Sequence, residues 1–149
     1  MKARFEADGD VIVVTGGGNG IGRALARAAA KAGARVVLCD VDPSAMNETQ
    51  AGDGNIACER LDVSDRDAVM TTFARIERDY GRIDGLVCCA AIQPRGLVEE
   101  TSPEDWRRVI SVNLDGVVWC YQAAIKGMIA RRRGSIVVST PRAGCRRAR

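Results

Sequence analysis

A cluster of glycines near the N-terminus is the first feature of the sequence that could do chemistry. The stretch TGGGNGIG, residues 15–22, follows the strand-like run VIVV and opens an alanine-rich helical segment. Glycines between a strand and a helix let the chain turn sharply and bring peptide N–H groups against a pyrophosphate. Because this cluster begins a strand–helix–strand unit, its T-G-x-x-x-G-x-G spacing favours a dinucleotide site over a simple turn.

An aspartate at the end of the next strand-like run is the second candidate. The run RVVLCD ends in Asp40, 18 residues after Gly22. A carboxylate there can accept hydrogen bonds from an adenosine ribose and repels a 2′-phosphate. Arg35 lies at the other end of the run, where it is badly placed to bind that phosphate. The pattern therefore predicts NAD rather than NADP, and a surface aspartate without a ligand is the alternative.

Alternating strand-like and helical segments must position these residues. Strands are predicted at 11–14, 35–40, 56–63, 83–91 and 134–140, and helices at 22–33, 64–80 and 103–132, with at most a short helix within 43–55. This order predicts a parallel sheet with right-handed crossovers and helices on both faces. The predicted fold is therefore α/β, a Rossmann-type doubly wound parallel sheet.

Composition and charge narrow the class of protein. The chain has 149 residues, of which 46% are hydrophobic and 28% charged, as expected for one soluble domain. No apolar run approaches the ~18 residues of a membrane span, and the N-terminus does not resemble a secretory signal. We therefore expect a cytoplasmic protein that does not bind membranes.

The arginine-rich C-terminus accounts for the basic balance. Residues 141–149 contain four of the 22 basic residues and no acid, so residues 1–140 carry 18 − 19 = −1. This near-neutral body argues against nucleic-acid binding, although an RNA or other anion bound by the tail remains a distant alternative. We expect 1–140 to form a partial nucleotide-binding domain and 141–149 a disordered basic tail.

The cysteines and the lack of histidine exclude further kinds of site. Four of the six cysteines lie inside apolar runs, where a free thiol behaves as a small hydrophobe, so no disulfide framework is expected. The chain has no histidine. Most zinc sites, and every Ser–His or Cys–His nucleophile pair, are thereby excluded, and no metal site is expected.

An ordered set of motifs resembles the short-chain dehydrogenase/reductase family. The set consists of TGGGNGIG, Asp40, LDV at 61–63, GLVCCAAI at 85–92, SVNLDG at 111–116 and GSIVVST at 134–140. The resemblance implies an oxidoreductase that transfers a hydride between NAD and a small alcohol or ketone.

The resemblance also implies a role for individual residues. Those expected beside the cofactor phosphates are Gly16, Asn19, Gly20, Ile21 and Gly22; Asp40 would hold the ribose, Asp62 and Val63 would flank the adenine, and Cys88 and Ala90 would lie beside the cofactor. In that last element the family's two asparagine positions are Cys88 and Cys89 here. Asn113 matches the family's catalytic asparagine, with a packing or backbone hydrogen-bonding role as the alternative.

The family's proton-transfer residues have no counterpart at the expected positions. The family places a serine, and then Tyr-x-x-x-Lys, after the fifth strand. Here the serine position falls on Pro141, and Tyr80 and Tyr121 both precede that strand. The sequence therefore predicts a sheet that is incomplete at its C-terminal side, in a truncated or frameshifted chain of marginal stability that is inactive alone. The alternative is a non-catalytic nucleotide-binding module or a partner subunit, with 103–132 as the helix that forms a homo-oligomer.

Overall fold

Strands and helices alternate along the described part of the chain, which comprises residues 6–93 and 97–139 of a computed structural model. The elements are β1 Val11–Thr15, α1 Gly20–Lys31, β2 Arg35–Asp40, α2 Pro43–Gln50, β3 Ile56–Arg60, α3 Arg66–Tyr80, β4 Gly85–Cys88, a 3₁₀ turn Val98–Glu100, α4 Pro103–Ile110, a π segment Ser111–Asp115, α5 Gly116–Arg131 and β5 Ser135–Val138. In the described residues, no helix is long and apolar enough to cross a membrane.

The strands form one parallel sheet in the order β3-β2-β1-β4-β5. The chain moves outward from β1 to β3 and then returns to place β4 on the other side of β1. In such sheets, ligands bind where the strand order reverses, outside the carboxyl ends of the strands. The predicted α/β doubly wound fold is therefore confirmed, with β1 and β4 flanking its switch point.

Two apolar layers cover the two faces of the sheet. On one face α3 and α5 contribute Val69, Phe73, Ile76, Cys120, Ala124 and Met128. On the other face α1 and α2 contribute Ala26, Ala30 and Met46. Because successive strand residues point to opposite faces, Val37 packs in the first layer and Val36 and Leu38 in the second. This burial on both faces explains why the central strands β1 and β4 are almost wholly apolar.

Side-chain caps fix where most helices begin. Asp42 accepts hydrogen bonds from the Ser44 and Ala45 N–H groups at the start of α2, and Asp65 accepts from Ala68 in α3. The Ser102 hydroxyl accepts from Asp105 in α4. Each cap satisfies a backbone donor that the helix itself leaves without a partner.

Several element boundaries differ from those predicted. The strands predicted at 56–63, 83–91 and 134–140 are shorter in the structure, because the chain leaves the ladder at its carboxyl end to form loops. The helix predicted at 103–132 is interrupted by the π segment. Thr140 and residues 141–149 lie outside the described residues, and so does the prediction of a disordered tail.

The outer strand β5 carries apolar side chains at the surface. Val137 is 52% exposed and Val138 is 45% exposed, and β5 pairs with β4 on one side. Such a strand edge offers backbone groups for pairing. The expected marginal stability of the chain stays a prediction.

Candidate functional site

A cavity of about 470 Å³ runs along the carboxyl ends of the strands. Its lining comes from the glycine loop, Asp40 at the end of β2, the segments that follow β2, β3, β4 and β5, and the junction of α4 with the π segment. Of the residues predicted to bind cofactor, Gly16, Asn19, Gly20, Ile21, Gly22, Asp40, Asp62, Val63 and Ala90 line it. The volume is typical of a small-molecule or cofactor site.

The glycine loop lies directly against the chain that follows β4. Gly16 has a φ of 67°, and a Cβ at this position would collide with the backbone of Cys89 and Ala90. The Gly16 N–H donates to the Cys39 carbonyl at 2.8 Å. Glycine is therefore required at position 16 both by its left-handed conformation and by the close approach of another backbone.

The first turn of α1 opens onto the cavity without a side-chain cap. Asn19 is the N-cap residue, but its side chain accepts no backbone N–H of that turn, and the turn holds no acidic residue. Gly20, Ile21 and Gly22 of the same turn line the cavity. A helix N-terminus combines backbone donors with the positive end of the helix dipole, so this end of the cavity suits an anionic group.

The Asp40 carboxylate is held at the cavity wall by backbone donors. Its Oδ2 accepts from the Gly18 N–H at 2.8 Å, and its Oδ1 accepts from the Asp42 N–H at 3.1 Å. Each oxygen keeps further acceptor capacity for a ligand hydroxyl. The carboxylate is thus fixed in orientation on the wall next to the glycine loop.

The loop after β3 supplies the wall predicted to flank adenine. Asp62 Oδ1 accepts from the Ser64 N–H at 2.9 Å and from the Ser64 hydroxyl at 2.7 Å. Val63 is buried in the core while also lining the cavity. Asp62 therefore shapes the loop, and Val63 presents an apolar surface to the cavity.

Two adjacent cysteines at the end of β4 occupy different environments. Cys88 packs in the apolar layer, where its thiol is hydrogen-bonded to that of Cys120. The next residue, Cys89, lines the cavity beside Ser139, because side chains alternate along an extended chain. Burial raises the pKa of the Cys89 thiol, and a hydrogen bond with Ser139 lowers it in part. Cys88 itself does not line the cavity, and its predicted contact with a cofactor stays a prediction.

Asn113 joins the π segment to the chain beyond β4. Its Nδ2 donates to the Ile92 carbonyl at 2.9 Å, and its Oδ1 accepts from the Ile92 N–H at 2.8 Å. Both polar atoms of the Asn113 side-chain amide are thus hydrogen-bonded to the backbone of Ile92. This is the backbone hydrogen-bonding role given above as the alternative to a catalytic role. Ile92 lines the cavity and Asn113 does not, so Asn113 shapes the wall from behind. Its catalytic role stays a prediction.

Sequence reasoning missed several lining residues, including Val41, Ser64, Arg108, Ser111 and Val112. The last three are spaced i, i+3, i+4 and so share a helix face, but this spacing does not show which side meets the cavity. Ser139 also lines it, whereas Tyr80 and Tyr121 do not. Pro141, at the expected serine position, lies outside the described residues.

Comparison with known proteins finds similar sequences. The family model for short chain dehydrogenase matches residues 10–148. The chain is 39% identical over 132 residues to meso-2,3-butanediol dehydrogenase from Serratia marcescens, covering 87% of this chain and 52% of that protein. It is 41% identical over 137 residues to gluconate 5-dehydrogenase from Gluconobacter oxydans, covering 89% and 54%.

A solved structure has the same fold. The crystal structure of gox2181 superposes with a TM-score of 0.88 at 28% sequence identity, covering 98% of this chain and 59% of that one. The chain thus spans about half the length of the curated relatives it matches.

Proposed function

Because this chain belongs to the short-chain dehydrogenase family, we propose that its cavity binds NAD and serves the oxidation or reduction of a small alcohol or ketone. One observation carries the proposal: the uncapped start of α1 and the fixed Asp40 carboxylate open onto the same cavity. A dinucleotide needs an anion site and a ribose site on the same strand–helix–strand unit.

The described residues fit the parts of the cofactor. Donors in the first turn of α1 would hold the pyrophosphate, beside Gly20, where an added Cβ would meet nothing within 4 Å. Asp40 would accept hydrogen bonds from the adenosine ribose and disfavour a 2′-phosphate, while Asp62 and Val63 would flank the adenine. Ala90 would lie beside the cofactor, whereas Cys88, which does not line the cavity, would support this wall from the adjoining apolar layer. NAD supplies the hydride acceptor when it is bound.

Proton transfer has weaker support. No tyrosine or lysine stands among the cavity-lining residues in the described part of the chain. Asn113 would support a proton relay through the wall that it holds, but a relay needs an acid at the substrate oxygen. We therefore propose that the 149-residue chain binds the nucleotide without turnover by itself. A non-catalytic nucleotide-binding module is the second candidate, and the same observation favours it.

A titration with both reduced cofactors tests the proposal. NADH is expected to bind at least about tenfold more tightly than NADPH, and Asp40→Asn to remove most of that preference. Asp67→Asn, on a carboxylate away from the cavity, is the control. Failure of the unmodified chain to bind NADH, or equal binding of both nucleotides, would contradict the NAD assignment. Sustained NADH consumption with mixed small ketones would instead contradict the absence of turnover.

We also propose that the chain pairs with a second copy through 103–132. Exposed apolar side chains on this segment support the pairing, namely Trp106, Leu114, Val118, Tyr121 and Ile129. Sedimentation equilibrium should show a dimer that Ile129→Glu converts to monomer, and an unmodified monomer would refute it.

The free thiols of the five cysteines in the described residues support a cytoplasmic location. Fractionation of cells would check this location, since recovery of the chain outside the cytoplasmic fraction contradicts it.

A further inference from the structure

Gly18, in the middle of the glycine loop, is held through both of its backbone polar groups. Its N–H donates to Asp40 Oδ2 at 2.8 Å. The Gly18 carbonyl accepts from Arg23 Nε at 2.9 Å and from Arg23 Nη2 at 2.6 Å. One residue of the loop therefore connects a guanidinium on α1 to the carboxylate at the end of β2.

Arg23 is itself fixed by a second set of contacts. Its Nη2 lies 3.0 Å from Glu48 Oε2 on α2 and 3.3 Å from Asn19 Oδ1. Charge-assisted hydrogen bonds from a planar guanidinium are strong and directional. The side chain thus spans from α2 to the loop and holds the Gly18 carbonyl in one orientation.

Thr49 of α2 lies against the carbonyls of both Gly17 and Gly18. Its buried hydroxyl lies 3.1 Å from the Gly17 carbonyl, 3.3 Å from that of Gly18 and 3.1 Å from that of Ala45. A helical threonine commonly bonds the carbonyl four residues earlier, which here is Ala45. The two loop carbonyls are additional, and they place a polar group of α2 directly under the glycine loop.

The space around Gly18 is tightly filled by neighbouring side chains. A Cβ at Gly18 would lie 2.9 Å from Asp40 Oδ2 and 2.9 Å from the Ala45 Cβ. Gly18 is therefore packed between the carboxylate and α2. A rotation of the Gly18 backbone would move the N–H that orients Asp40.

We propose that Arg23, assisted by Thr49, is a positioning residue that sets the preference for a nucleotide with a free adenosine 2′-hydroxyl. Arg23 holds the Gly18 carbonyl and thereby limits rotation of the Gly18 backbone, while Thr49 holds the Gly17 carbonyl, whose peptide unit carries the Gly18 N–H. Together they keep that N–H on the Asp40 carboxylate and orient the carboxylate toward the ribose. This inference rests on the proposed binding of NAD. It assigns nucleotide preference to a side chain on α1 in addition to the acid on β2.

Two matched pairs of variants test the inference by titration with NADH and NADPH. Arg23→Met should weaken NADH binding about tenfold and NADPH binding about twofold or less, so that the preference falls about fivefold. Arg27→Met is the control, because Arg27 also reaches α2, at the Thr49 and Glu48 carbonyls, without a hydrogen bond to the loop. Thr49→Val, which lacks the hydroxyl, should lower the preference for NADH about twofold. Thr49→Ser, which retains the hydroxyl, should keep the preference of the unmodified chain.

The outcomes separate the inference from the function on which it rests. If the unmodified chain binds NADH and Arg23→Met keeps the same preference, the inference alone is wrong. Equal losses for both nucleotides, or equal effects of the Arg23 and Arg27 variants, also overturn it, since they indicate general support of the loop. If the unmodified chain binds neither nucleotide, the proposed function fails and the inference fails with it. Thermal unfolding of each variant identifies loss of fold. If Arg23→Met does not fold, the nucleotide preferences of Thr49→Val and Thr49→Ser decide whether the inference holds.

Discussion

The two halves of the cavity are held together by different kinds of contact. The glycine-loop half, residues 16–22 with Asp40, depends on charged hydrogen bonds, above all those of Asp40 and Arg23 to Gly18. The β4 half, residues 89–92 with Ser139 and the supporting Asn113, depends on one amide pair and on neutral thiols and hydroxyls. Charge-assisted bonds are roughly twice as strong as neutral ones, so the glycine-loop half should be the more rigid.

The halves also differ in how far apart their partners lie in the sequence. The contacts of the glycine-loop half fall within one strand–helix–strand–helix stretch, from Gly16 to Thr49. In the β4 half, the Ile92–Asn113 contact spans 21 residues, close to the 22 between Gly18 and Asp40, but the Ala90–Thr15 contact spans 75. The first half is therefore a local unit, whereas the second exists only once the sheet has formed around β1.

Gly16→Ala should have the largest effect on stability and on nucleotide binding, because Gly16 is where the two halves of the cavity are in contact. The added Cβ collides with the backbone near Ala90 and the residue keeps a left-handed φ. We expect a loss of about 3 kcal/mol in the free energy of unfolding and about a hundredfold weaker NADH binding. Urea unfolding and NADH fluorescence measure the two effects.

Gly52→Ala is the matched control for that variant. Gly52 also has a left-handed φ, of 80°, but nothing lies within 4 Å of an added Cβ. It should cost about 1 to 2 kcal/mol for the conformation alone and leave NADH binding unchanged. If the two variants behaved alike, contact between the halves at Gly16 would have no special importance.

Asn113→Leu should weaken the β4 half while leaving the glycine-loop half intact. The change removes both hydrogen bonds to Ile92 and leaves a partly buried N–H and carbonyl without partners. We expect a loss of about 2 kcal/mol in the free energy of unfolding, measured in urea, with the preference for NADH over NADPH retained. Asn47→Leu, at an exposed position on α2, should change stability little. A lost nucleotide preference in Asn113→Leu would show that the halves are not independent.

The same division explains what could be predicted from the sequence. The glycines at 16, 20 and 22 and Asp40 belong to one local unit whose spacing indicates its geometry, and the structure brings them to one cavity. Strand order follows from the alternation of elements and the handedness of crossovers. Arg108 and Ser111 were missed because only the packing of α4 decides which side meets the cavity. That Cys89 rather than Cys88 lines it depends on where β4 ends, which an apolar run does not mark.

The thiol of Cys89 provides the mildest test, because alkylation need not disturb the fold. Burial raises its pKa, so thiolate is scarce at neutral pH and the rate with iodoacetamide should still be rising above about pH 8.5. NADH at ten times its Kd should slow labelling of Cys89 about tenfold. Peptide mass spectrometry follows each site, with Cys58, outside the cavity lining, as the internal reference. Unchanged labelling of Cys89 would mean that the nucleotide does not cover the β4 half.

The π segment between α4 and α5 changes the direction in which the side chains of α5 point relative to those that precede it. Val112 lines the cavity and packs on the core, and Cys120, eight residues later, is buried in the same core. In a regular α-helix, eight residues turn about 800°, which leaves the two side chains about 80° apart. A π turn absorbs one residue, so the effective rotation is about 700° and the two lie within about 20° of each other. The extra residue of the π segment thus places Val112, which lines the cavity, and Cys120, which is buried in the core, on nearly the same side of the continuous helix.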